Sequence, residues 1–400
     1  MCPTSHAKGD KKLMFKVRTL NEISPVIHDI LTAGQYIISK DEPSPDAILV
    51  RSAAMHDLEL PKTLMAISRA GAGVNNIPLD KCTEQGIVVF NTPGANANAV
   101  AELTMAGLLL ASRDIWGGLS FAQSLKGKED VEKLVEKGKN AFVGPELRGK
   151  TLAVLGLGAI GALVANAAVS GFGMNVVGYD PYISVAHAWS LSRSVHQALT
   201  MEEAIRDADY VSLHIPLTAE TKGMVNESFI KTIKPGARLL NFSRGELCVA
   251  DDILKALETG DLAKYVTDFP SDALLNHPNI ICIPHLGAST PESEDRCAAM
   301  AAQQIKDYLE RGIIKNSVNL PEVTLGAPDG SRVLLIHKNV PGLVSAISTL
   351  ISGRGINIAG MINKSRGDFA VTVLELSQAP DDPLIDALSR LKDVVRVRKV

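Results

Sequence analysis

Cysteine, aromatic side chains and net charge are all scarce in this 400-residue chain. The five cysteines, Cys2, Cys82, Cys248, Cys282 and Cys297, are odd in number, scattered and without CxxC spacing. That argues against a disulfide framework or a zinc site, so no metal is expected, and it suits reduced thiols in a cytoplasmic protein. A formal net charge of −3 gives no general affinity for nucleic acid or an anionic membrane. Any anionic substrate must therefore be held by cations placed locally. With 46% hydrophobic and 4% aromatic residues, the composition is ordinary for a soluble globular protein. The opening MCPTSHAKGDKK lacks the apolar core of a signal peptide and the arginine-rich pattern of a transit peptide. It is expected to be a disordered start. Leu152–Tyr179 carries no charged residue and is long enough to resemble a membrane span. Several glycines and two asparagines interrupt it, so it reads as sheet core instead.

What is present is alternation. Four hundred residues suggest two or three domains. Residues 13–92 alternate short apolar runs (AILV, TLMAISRAG, IVVFNTP) with polar or helical stretches, an α/β pattern. Asn98–Arg113 reads as a helix passing to the next unit, and the charged 124–140 stretch as a solvated helix or loop. From Lys150 to Ile283 the strand–helix alternation continues through YVSLHIPLT, ARLLNFSRGE, YVTDFP and NIICIPHLGAS. That predicts a Rossmann-type doubly wound parallel sheet, whose ligands collect at the carboxyl ends of the strands. A helix over Pro291–Arg311 and a linker over 318–331 follow. The last seventy residues read as βαββαβ, a small ferredoxin-like unit.

The stretch TLAVLGLGAIG (151–161) carries the first specific chemistry. Gly156-x-Gly158-x-x-Gly161 alone is a weak signal. Here it follows an apolar run expected to be a buried strand, opens an alanine-rich helix, and is followed by a second apolar run ending at Asp180. All of this falls within about thirty residues, the size of a dinucleotide-binding unit. Gly156 permits the turn, Gly158 lets backbone approach a pyrophosphate, and Gly161 packs helix on strand. The N-terminal N–H groups at Ala159 and Ile160 would face phosphate oxygens. Asp180 would accept from ribose hydroxyls and repel a 2′-phosphate, favouring NAD.

The motifs RAGAGVNNI (69–77), FVGPELRGKTLAVLGLGAIG (142–161), NFSRGE (241–246), PHLGAST (284–290) and HKNVPG (337–342) together resemble the D-2-hydroxyacid dehydrogenase family with a C-terminal ACT domain. The resemblance implies a discontinuous, flavodoxin-like substrate domain from 1–95 and 290–325, a nucleotide domain over 96–289 and an ACT domain over 331–400. It places the active site in a cleft between the first two lobes. It implies NAD-dependent oxidation of 3-phospho-D-glycerate to 3-phosphooxypyruvate, which begins phosphorylated L-serine biosynthesis, in a homodimer or homotetramer. Removing hydride from a secondary alcohol needs a base for the hydroxyl proton and a cation near the developing carbonyl oxygen. His285 is the candidate base, and Arg244 can fork onto the substrate carboxylate.

The third catalytic member is expected at Asp272. The family shows Asp-Val-Phe-x-x-Glu where this chain has Thr267-Asp268-Phe269-Pro270-Ser271-Asp272. Aligning Phe269 puts Asp272 at the glutamate position; keeping Asp268 as the acid on the nicotinamide side puts Ala273 there. His277 and Glu292 are possible stand-ins. The resemblance also assigns Ala72, Ile215, Pro216, Phe242, Ser243, Gly287 and Ala288 to the cofactor. It assigns Arg51, Ser52, Arg69, Gly73 and a Lys139 from the neighbouring subunit to the phosphorylated substrate. Asn75 and Asn76 read as turn residues. His337, Asn339 and Asn357 fall where ACT domains of the family contact L-serine, against the alternative of a purely structural ACT domain. Three rivals remain: a glyoxylate or hydroxypyruvate reductase, an NAD-sensing binding protein without turnover, and a thiol enzyme built on Cys282 and His285.

Overall fold

The computed structural model describes residues 14–326 and 330–400; the opening twelve residues and part of the 318–331 linker lie outside them. The chain divides into two compact units, 1–95 with 294–400, and 96–293. Among the described residues no helix is long and apolar enough to cross a membrane.

The first unit contains a five-stranded parallel sheet of β1 (Phe15–Leu20), β2 (Tyr36–Ser39), β3 (Ala47–Val50), β4 (Ala66–Arg69) and β5 (Val88–Phe90). Its order, β2-β1-β3-β4-β5, is the flavodoxin-like one. AILV and VVF are buried along their whole length, as a sheet covered on both faces requires. The second unit holds β6 (Thr151–Leu155), β7 (Asn175–Tyr179), β8 (Val195–Gln197), β9 (Tyr210–Leu213), β10 (Ala237–Asn241), β11 (Leu262–Thr267) and β12 (Ile280–Cys282). They pair in parallel in the order β12-β11-β10-β9-β6-β7-β8. The strand order reverses beside β6, the strand that leads into the glycine motif, and such switch points form the ligand crevice of doubly wound sheets. The uncharged Leu152–Tyr179 stretch is two strands and the helix between them.

The C-terminal strands, β13 (Ser331–Lys338), β14 (Ile358–Arg366), β15 (Phe369–Leu376) and β16 (Val394–Lys399), form an antiparallel sheet in the order β14-β15-β13-β16. One face, with Val333, Leu335 and Leu374, is covered by the helices Leu343–Ser352 and Asp382–Ser389. The other, with Leu334, Ile336, Val371 and Val373, joins the core of the first sheet through Ala298, Ala301, Ile305 and Tyr308 of the helix Pro291–Arg311. Arg332, fully buried, bonds Glu375 at 2.6 Å and the Arg311 carbonyl at 2.6 Å. A cation at a helix C-terminus meets the negative end of its dipole.

Candidate active site

Gly156 turns the chain at φ +91°, and a Cβ there would sit 2.4 Å from the His214 carbonyl oxygen. A Cβ at Gly161 would lie 1.9 Å from the Gly156 oxygen, so the helix meets the turn this closely only because residue 161 is glycine. A Cβ at Gly158 would meet nothing within 4 Å, which leaves open space above the turn. The helix Ala159–Phe172 begins there with no side-chain cap, so the Ala159 and Ile160 end offers free N–H groups. Asp180 ends β7 and accepts from Leu157 N–H at 2.9 Å and Tyr182 N–H at 2.8 Å, fixing the carboxylate beside the turn. Beneath the turn, His214 Nε2 lies 2.9 Å from Ser212 Oγ while Nδ1 has no partner. Burial holds this imidazole down at about 4, so it is neutral at pH 7. These features fit a dinucleotide.

The carboxyl ends of β10, β11 and β12 carry the reactive side chains. Asn241, fully buried, bends the chain after β10: its Oδ1 accepts from Ser243 N–H at 3.1 Å and its Nδ2 donates to the Arg244 carbonyl at 2.9 Å. Ser243 Oγ donates to the Leu213 carbonyl at 2.7 Å, tying the turn to β9. Arg244 itself is exposed, with Nη1 donating to the Ser243 carbonyl at 2.6 Å. Ile283 N–H donates to the Thr267 carbonyl at 2.9 Å and brings the exposed His285 alongside the end of β11. There Phe269 meets the His285 ring edge-on, centroids 5.1 Å apart at 80°.

The carboxylate that senses both catalytic candidates is Asp268. It is 2% exposed, and its Oδ1 has no hydrogen-bond partner. Burial pushes its carboxyl above the ordinary range, and the charges of His285 and Arg244 pull it part of the way back. Its unpaired oxygen is an acceptor waiting for a donor such as a carboxamide. Asp272, the expected third catalytic residue, instead opens the short helix Asp272–Leu275 with an exposed side chain. The physical difference is burial: at Asp268 the two charges act through a poorly solvated site, whereas water screens Asp272. Of the stand-ins, Glu292 is exposed, and His277 Nδ1 accepts from Asn279 N–H at 3.1 Å. Burial also pushes the Cys282 thiol up, opposite to what a nucleophile needs.

The remaining cofactor candidates fall into place as backbone or packing. Ile215 and Pro216 follow β9, and the Pro216 carbonyl accepts from Thr221 Oγ1 at 2.7 Å. The Phe242 ring packs against Gly107, where a Cβ would sit 2.7 Å away. Gly287 is buried against Val100, and Ala288 is half-buried beside it. In the first unit, Arg51 and Arg69 lie at the carboxyl ends of β3 and β4, whose last residues Val50 and Arg69 are register partners. Arg51 Nη2 pairs with Glu294 at 2.7 Å, and Arg69 Nε donates to the Arg51 carbonyl at 3.0 Å. Ser52 N–H donates to Asn21 Oδ1 at 3.0 Å; Ala72 is exposed and accepts from Asn91 Nδ2 at 2.7 Å, with Gly73 half-buried next to it. Asn76 does more than turn the chain, donating to the Ala53 carbonyl at 2.8 Å and so holding the Arg51 loop. Lys139 is exposed and paired with Glu136. His337 is buried, Nδ1 at 2.7 Å from the Lys338 carbonyl and Nε2 at 2.7 Å from Thr372 Oγ1, whereas Asn339 and Asn357 are exposed.

Residues 119–287 match the NAD-binding domain of the D-isomer specific 2-hydroxyacid dehydrogenases. The matched residues fall within the second unit. The Gly156–Gly161 turn and Asp180 lie within the residues that match this NAD-binding domain. D-3-phosphoglycerate dehydrogenase from Rattus norvegicus is 36% identical over 315 residues, 76% of this chain and 55% of that one. The enzyme of that name from Bacillus subtilis is 36% identical over 288 residues, 70% of this chain and 52% of that one. The chain thus spans about half the length of the curated relatives it matches. Among solved structures, an NAD+-bound 3-phosphoglycerate dehydrogenase from Entamoeba histolytica superposes with a TM-score of 0.60 at 27% identity, covering 76% of this chain and 99% of that one. D-mandelate dehydrogenase from Rhodotorula graminis, at 22% identity and a TM-score of 0.65 over 78% of this chain and 99% of that one, shares the fold.

Proposed function

We propose that this chain catalyses the NAD-dependent oxidation of 3-phospho-D-glycerate to 3-phosphooxypyruvate, the first step of phosphorylated L-serine biosynthesis. The observation that carries this reading is the trio of Arg244, Asp268 and His285 at adjacent strand ends of an NAD-binding sheet. His285 takes the proton of the substrate's 2-hydroxyl as the carbon loses hydride. Arg244 forks onto the carboxylate and steadies the carbonyl oxygen as it forms. Asp268 favours the imidazolium that results and offers its unpaired oxygen to the cofactor's carboxamide. NAD, when bound, supplies the hydride acceptor. Arg51, Ser52 and Arg69 hold the phosphorylated end, the backbone at Gly73 meets the carboxylate, and Lys139 of a second copy adds a cation in a homodimer or homotetramer.

The test is NADH formation from 3-phospho-D-glycerate beside D-glycerate and D-lactate. Turnover confined to the phosphorylated acid supports the reading. Equal turnover of the others points to a glyoxylate or hydroxypyruvate reductase, and NAD binding without any turnover to a sensor. For the C-terminal sheet we assign an L-serine effector site at Asn339 and Asn357, both exposed, with His337 shaping the strand end behind them. Inhibition by L-serine that is lost in Asn357→Ala tests it; an unaltered rate leaves the sheet a structural part of its unit.

A further inference from the structure

Behind the catalytic loops, within the second unit, lies a cavity of ≈ 160 Å³ lined by Gly245, Cys248, Ala250, Tyr265, Phe269 and Leu274, among others. Nothing in the dehydrogenase reaction uses it. Its walls are nevertheless the back side of the reactive centre. Phe269 presents its ring to His285, 5.1 Å away, and its Cβ lies 3.1 Å from where a Gly245 side chain would start. Gly245 directly follows Arg244. Two polar groups of the lining, the Tyr265 hydroxyl and Cys248 Sγ, lie 3.4 Å and 3.5 Å from Asn241 Nδ2, the same nitrogen that holds the Arg244 carbonyl. A body inside the cavity would press on His285 through Phe269 and on Arg244 through Asn241.

The lining also sets the occupant's chemistry. A dry apolar cavity of about 150 Å³ admits benzene. Burial pushes the Cys248 thiol up to about 11, and the buried Tyr265 hydroxyl is raised well above its usual value, so both are neutral at pH 7. A charged molecule would lose its hydration without an opposite charge to meet. The Tyr265 hydroxyl is already engaged by Thr267, Asn241 and Cys248, so the one hydrogen-bonding group of an occupant meets the Ser271 hydroxyl at the rim. The thiol is protonated and does not call for covalent chemistry.

We propose that this cavity is a control site for an uncharged, benzene-sized molecule bearing one hydroxyl, whose binding displaces Phe269 and thereby moves His285. The probe is 4-fluorophenol, titrated into the full chain and followed by its fluorine resonance, with a Kd on the order of 1 mM expected for so few atoms. Saturable broadening is expected with the unaltered protein. It should vanish in Ala250→Leu, which fills the cavity, and in Ser271→Trp, which closes its rim from an exposed position. Either variant with an unchanged melting temperature suffices. The His285 ring signal of histidine-labelled protein should shift with 4-fluorophenol only in the unaltered chain. No saturable broadening, or broadening equal in both variants, overturns the site; binding with an unmoved His285 signal overturns the control. Neither readout requires turnover, so a protein silent with 3-phospho-D-glycerate would defeat the proposed reaction and leave this result standing.

Discussion

The strand ends of the first and second sheets handle charge in opposite ways. At the ends of β3 and β4 the cations are already engaged, Arg51 by Glu294 at 2.7 Å and Arg69 by the Arg51 carbonyl. At the ends of β10 to β12 the charges are left short: Asp268 is buried with one oxygen unpaired, and the exposed Arg244 donates to the carbonyl of its neighbour Ser243. A paired arginine is a filter, because a ligand must outcompete the carboxylate already there, and a dianionic phosphate does so better than a monoanion. A half-satisfied carboxylate is a stored cost that binding can relieve. Under the proposed function, recognition and reactivity are prepared by different means in the two units.

His285→Gln should break the reactive side most severely. Kcat should fall by about 10²- to 10⁴-fold, the range a positioned acid–base group contributes, while NAD affinity, read by titration of intrinsic fluorescence, stays within about twofold. An equal loss of NAD binding would make His285 a structural residue. Arg51→Gln should break the recognition side. Removing a hydrogen bond between charged partners is worth about 1.5–3 kcal/mol, so KM for 3-phospho-D-glycerate should rise about 10- to 100-fold with little change for D-glycerate. A matching rise for both acids would place Arg51 outside phosphate recognition.

How much of this was legible beforehand follows the same division. The glycine turn could be read because two of its positions are set by local sterics: Gly156 and Gly161 sit where any Cβ would collide, while Gly158 borders open space. The parallel, helix-covered character of the sheets followed from alternation. The acid did not, because Thr267-Asp268-Phe269-Pro270-Ser271-Asp272 offers two alignments one residue apart and only burial separates Asp268 from Asp272. Asn76 reads as a turn residue, and its reach to the Ala53 carbonyl is a tertiary fact. The shared core of the first and third sheets did leave a trace. VLLI in β13 is apolar at consecutive positions, the pattern of a strand covered on both faces rather than one. His337 interrupts that run, and its partner Thr372 lies on β15, out of reach of any local pattern.

Asp268→Asn sharpens the idea of a stored cost. A carboxyl whose folded-state pKa is raised favours folding fully below its ordinary range and loses that contribution as pH rises through the raised value. At pH 7 the buried anion therefore costs stability, and Asp268→Asn should melt higher than the unaltered protein. The gap should close as the pH falls below the ordinary carboxylate range. A lower melting temperature at pH 7 would mean that the pull of His285 and Arg244 outweighs burial.

Glu294→Gln asks the finest question, whether the engaged arginine is a filter or merely a surface pair. The two side chains are 36% and 42% exposed, and ion pairs of that kind are worth about 0–1 kcal/mol. The whole effect available is therefore about fivefold. A filter predicts that releasing Arg51 lowers KM for the phosphorylated acid and lowers it proportionally more for monoanionic competitors, so selectivity falls even as affinity rises. High salt should mimic the substitution, since screening loosens the pair before any ligand arrives. If both acids gain equally, the pair only tunes the local charge, and the preference for phosphate must come from the forked geometry of Arg51 and Arg69 rather than from the competition with Glu294.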